Sequence, residues 1–99
     1  MRADRLVRFT DEFFDRLDTL LAEERTIDGS PSVTDFLVFD VPPIRDRLAS
    51  NFEAETLPTG EAGIRVCIGS GVLVRYVAVY ARISEDGSVE AFWLSLDVG

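Results

Sequence analysis

The sequence contains no histidine, no lysine and a single cysteine. Without histidine there is no Ser-His-Asp or Cys-His couple, no imidazole base titrating near neutral pH and no imidazole metal ligand. Cys67 alone cannot build a zinc site, which takes four nitrogen or sulfur ligands, nor close an internal disulfide. Flanked by Val66 and Ile68, it reads as a small packing residue. No apolar run approaches the roughly 20 residues of a bilayer span, and MRADRLVRF lacks the apolar stretch of a signal peptide. The expectations are a cytoplasmic protein with no membrane partner, no catalytic residues, no cofactor and no metal.

What is present is a 99-residue chain with 46% hydrophobic residues. That length suits one domain over residues 1–99, burying roughly two-thirds of its unfolded surface. All ten basic residues are arginine, against eighteen acidic ones, for a formal charge of -8. An anion of this size is repelled by phosphate backbones, so the charge disfavours nucleic acid and suits a basic protein partner.

Arg5 to Phe9 reads as a short strand leading into Thr10, a helix N-cap. Asp11 and Glu12 follow at the positive end of the helix dipole. Phe9 and Phe14 hold hydrophobic-staple positions, and Phe13, Phe14, Leu17, Leu20 and Leu21 recur at helical spacing over about residues 11 to 25. Asp28, Gly29, Ser30 and Pro31 mark a loop. Phe36 to Val41 is apolar on every side and fits a buried helical turn or a short strand. Beyond Pro42 a helix from about Pro43 to Phe52 turns Ile44, Leu48 and Phe52 inward. After a loop with Pro58, Gly60 and Gly63, three strands are punctuated by turns at Ser70-Gly71 and Asp86-Gly87. The fold class is α+β: a short N-terminal strand, two or three helices, and a three-stranded antiparallel meander packed on them.

Two-residue turns place Ile68 opposite Leu73, Tyr80 opposite Trp93 and Val79 opposite Leu94. The inner face then collects Ile64, Val66, Ile68, Leu73, Val77, Val79, Ala81, Ile83, Phe92, Leu94 and Leu96. The other face collects Arg65, Cys67, Val74, Tyr76, Ala78, Tyr80, Arg82, Ala91, Trp93, Ser95 and Asp97, a mixture of rings and guanidinium groups suited to an interface. Arg65, Tyr76, Tyr80, Arg82 and Trp93 are the candidate partner-binding residues. The competing arrangement folds Phe36 to Val41 over this face as a second core layer. Asp11, Asp15 and Asp18 share one helix stripe that reads as a solvated face before it reads as a cation site. Glu12 and Arg16 are spaced as a surface ion pair. Gly69-Ser70-Gly71 lies between strands, the context of a hairpin turn and not of a phosphate cradle.

The order strand, helices, three antiparallel strands resembles the RelE/ParE superfamily of bacterial toxins, from about Leu6 to Leu96. The likeness is best in IRVCIGSGVLVRYVAVYARISEDGSVEAFWLSL, with its basic residue, glycine turn, tyrosine-bearing strand and acidic hairpin. The ribonuclease branch of that family uses strand arginines, which Arg65 and Arg82 match, together with lysines and a C-terminal tyrosine or histidine in a basic tail. The sequence has no lysine or histidine and stops at Gly99, and Pro42-Pro43 interrupts the second helix. The resemblance therefore implies the non-hydrolytic ParE-type branch, which inhibits a protein target such as DNA gyrase and is neutralised by an antitoxin. An acidic immunity, inhibitor or assembly module is the alternative, and a RelE-like ribosome-dependent mRNA endonuclease the second. The expected partner is a protein: an antitoxin, a target or a second copy in a homodimer.

Overall fold

Thr10 starts the first helix, its hydroxyl accepting the Phe13 N–H at 3.3 Å, in a computed structural model that describes residues 4–21, 32–70 and 74–97. Helix α1 runs Asp11–Leu20, and its expected continuation to residue 25 lies outside the described residues. Phe13, Leu17 and Leu21, four apart, are buried on one stripe. The staple differs from expectation. Phe9 packs on Phe13, ring centroids 4.9 Å apart, while Phe14 sits a hundred degrees further round the helix and is 39% exposed.

The ambiguous stretch is helical. Ser32 and Asp35 form a capping box, each side chain accepting the other's backbone N–H at 3.1 Å, and open α2, Val33–Asp35. The chain widens into a π-helical turn over Phe36–Asp40, where the Val41 N–H reaches back to the Phe36 carbonyl. Helix α3, Val41–Ser50, follows at once with Pro42 and Pro43 in its first turn, the place where a missing N–H costs little. Asn51 ends it in an extended φ, and α4, Phe52–Glu55, adds one more turn. Ile44, Leu48 and Phe52 are all buried, as their spacing predicts.

The sheet is mixed and has five strands, not three: β1 Val7–Phe9, β2 Leu57–Pro58, β3 Arg65–Gly69, β4 Tyr76–Ile83 and β5 Val89–Asp97, in the order β1-β5-β4-β3-β2. Strand β1 lies parallel to β5, and β2 adds a short antiparallel edge beside β3. The antiparallel β3-β4-β5 order is the expected meander, with Tyr80 opposite Trp93 and Val79 opposite Leu94.

Two register details overturn the expected faces. Gly69 pairs with Val77 and Ile68 with Ala78, so the connection after β3 is not a two-residue turn at Ser70-Gly71, and Ile68 does not face Leu73, which lies outside the described residues. The offset is odd, which turns β3 over. Cys67 joins the core, while Ile68 faces outward at 38% exposure. In β5, the turn from Ser84 to Ser88 closes with Gly87 at φ 86°, a three-residue loop carrying one residue in the left-handed region. A bulge between Tyr80 and Ala81 of β4 restores the distant register by leaving Phe92 as the extra residue of β5. Ala91 is thereby core and Phe92 is not, the reverse of the expected assignment.

One core holds the molecule together: Phe13, Leu17, Phe36, Ile44, Leu48 and Phe52 from the helices against Cys67, Val77, Val79, Ala81, Val89, Ala91 and Leu94 from the sheet. Phe36 is fully buried there, so its segment covers the same face as α1 and α3 and does not form a second layer. Among the described residues, the core cluster includes no helix residue packed on the other sheet face, and no helix is long and apolar enough to cross a membrane.

Candidate partner-binding face

Strand alternation and the observed register place Val66, Ile68, Tyr76, Ala78, Tyr80, Arg82, Glu90, Trp93 and Ser95 on the face away from the helices. Tyr80 stands between Val66 and Trp93, and Ala78 between Ile68 and Ser95. Val66 and Ala78 are buried as the floor, while Tyr76 and Trp93 are each 41% exposed. The bulge adds a ring: Phe92, Tyr80 and Trp93 line one open cleft of about 400 Å³, closed at its rim by Thr59, Gly60, Glu61 and Ile64. A one-residue insertion has thus turned a phenylalanine onto the side that a regular strand would deny it.

One end of the face is electrostatically closed. Glu90 accepts from Arg82 at 3.0 Å and from Arg8 at 3.2 Å, and the Arg82 guanidinium lies 5.0 Å from the Phe92 ring centroid. The adjoining turn is tied by Asp86, whose carboxylate accepts from both Ser84 and Ser88 hydroxyls and from the Ser88 N–H. Those hydrogen bonds hold the Asp86 carboxyl below the usual carboxylate range.

Of the five expected residues, Tyr76, Tyr80, Arg82 and Trp93 share this face. Arg65 does not. Its guanidinium donates to the Thr56 hydroxyl at 2.7 Å and to the carbonyls of Thr56 and Glu53, satisfying acceptors left free where α4 ends. Cys67 is buried, and burial pushes its thiol up, with Arg47 opposing. Asp11, Asp15 and Asp18 are exposed, and no group of acidic or cysteine side chains among the described residues is arranged to hold a metal ion. Arg16 does not pair with Glu12: it donates to the Leu94 carbonyl at 3.2 Å and stacks over Trp93 at 4.6 Å. Beyond the end of β1, that arginine guards an edge of β5 that would otherwise invite another strand.

A larger cavity of about 780 Å³ lies between Arg5 and the α3–α4 junction. Arg5 is held across it by the Gly87 carbonyl and Glu53, and the only ring among its lining residues, Phe52, belongs to the core. Of the exposed aromatic side chains among the described residues, Tyr76 and Trp93 stand on the open sheet face, while Phe14 and Phe39 lie on helical segments. Phe92, Ile64 and Glu61 escaped sequence reasoning, the first two because regular alternation assigns them inward and the third because a loop carboxylate carries no signal of what lies beneath it.

Comparison with known proteins returns no match: no family model fits the chain, and neither a curated protein nor a solved structure matches it.

Proposed function

We propose that this chain is a non-catalytic protein-binding domain that docks a partner polypeptide on the open face of its sheet. The observation that carries the reading is the cluster of Tyr76, Tyr80, Phe92 and Trp93 with Ile68 on the face that no described helix residue of the core covers. Contiguous exposed apolar surface on a small domain marks an interaction site, and tyrosine and tryptophan dominate binding energy where they are buried by a partner. The resemblance to the RelE/ParE superfamily supports the finer form: a ParE-type toxin acting on a protein target such as DNA gyrase and silenced by an antitoxin. An acidic immunity or assembly module would use the same face. The endonuclease alternative draws less support, because Arg65 and Arg82, which would grip phosphate, are both engaged by internal acceptors.

A photo-crosslinking amino acid at Tyr76 should join the protein to a discrete polypeptide in cells, whereas the same group at Arg45 on α3 should not. Equal labelling at both positions, or at neither, overturns the docking face. Growth arrest on expression, relieved by the product of an adjacent small reading frame, selects the toxin over the immunity module.

A further inference from the structure

Building on that reading, we infer that the partner's contacting segment is basic, an extended stretch with arginine or lysine side chains that straddles Trp93. Trp93 lines two clefts. On one side it lines, with Tyr80, Phe92, Ile64 and the exposed Glu61, a space of about 400 Å³, within the range of pockets that take small ligands or side chains. On the other it meets Glu12, Asp15, Arg16 and Thr19 of α1 in about 300 Å³. No ion pair engages Glu12, Asp15 or Glu61 among the described residues. Arg16, the cation beside them, is committed to the Leu94 carbonyl and the Trp93 ring. The surface therefore offers aromatic faces flanked by carboxylates outside any ion pair among the described residues, with Arg16 offsetting one of the two charges in the α1 cleft.

That combination recognises a cation, through the ring quadrupoles and the carboxylates together. The chain supplies its own illustration: Arg16 on Trp93 and Arg82 on Phe92 show guanidinium groups seated on these rings. The formal charge of -8 steers a basic partner inward and repels both a second copy and nucleic acid.

Trp93 is the sole tryptophan, so its fluorescence reads the site directly. The probe is a blocked nonapeptide alternating arginine and glycine, with a glutamate-glycine peptide as control. The arginine peptide should shift Trp93 emission saturably, with affinity falling as salt rises, and the glutamate peptide should not. By anisotropy of a labelled arginine peptide, Glu61→Gln and the pair Glu12→Gln, Asp15→Asn should each weaken binding about fivefold, as loss of a partly screened charge pair predicts. Asp46→Asn, an exposed carboxylate on α3, should leave affinity unchanged. Absence of saturable binding at millimolar peptide and low salt, equal weakening by Asp46→Asn, or preference for a single-stranded RNA overturns the inference. If the peptide fails while the Tyr76 cross-link persists, the docking face stands and only the basic partner falls.

Discussion

Residue type and residue role part company at Arg65 and Cys67. In the sequence Arg65 looks like a free strand cation beside aromatics; in the fold it is a clasp on the end of α4, because strand β3 presents it to the helix side, where unpaired carbonyls are waiting. The sequence does not reveal this, since the deciding fact is a long-range register. Cys67 kept its expected role as a packing residue but on the opposite face. Its burial predicts chemistry: the raised thiol is mostly protonated at neutral pH and closed to solvent. A thiol reagent such as dithionitrobenzoate should label Cys67 at the rate of unfolding in native buffer and within seconds in denaturant. Rapid labelling of the native protein would show that the core face of β3 is not where the register places it.

At the scale of elements, those with local signals were legible. Thr10 announced α1, the two prolines announced the first turn of α3, and Asp86-Gly87 announced the β4–β5 hairpin. What was not legible depends on the count of residues in a loop or bulge. The tight-turn signature is shared by two-residue and three-residue loops, and Phe92 looks like any other alternating apolar residue until the bulge is seen. Strand β1 was expected, yet its parallel seat beside β5 has no local signal. The turn itself yields two predictions. Gly87→Ala places a Cβ at φ 86° and should lower stability by about 1 kcal/mol in denaturant melts. Asp86 has a native pKa below its unfolded one, so its stabilisation is complete above the ordinary carboxylate range and is lost as pH falls below about 4. Asp86→Asn should therefore be the less stable protein at pH 6, and the gap should narrow steadily between about pH 4 and pH 2.

At the scale of the whole molecule, one helical layer serves one face of a five-stranded sheet, and this asymmetry links stability to function. Adjacent residues of β5 test it: Leu94 is fully buried against the helices while Trp93 is 41% exposed on the open side. Leu94→Ala removes core volume and should cost about 2 to 5 kcal/mol. In a domain of this size each kcal/mol moves the melting temperature by roughly 4 to 8 °C, so a fall of about 10 °C or more is expected. Trp93→Ala forfeits the Arg16 stacking, about 0.5 to 1 kcal/mol at an exposed site, and the cross-strand packing on Tyr80, roughly 0.2 to 1 kcal/mol, and should lower the melting temperature by less than Leu94→Ala does. Binding should invert the order. Cross-linking from Tyr76 should survive Leu94→Ala below its melting temperature and disappear in Trp93→Ala, because the first change is hidden beneath the sheet and the second removes the ring a partner would cover. A large loss of stability in Trp93→Ala with cross-linking intact would mean that the open face is a second core, and the docking surface would have to be sought elsewhere.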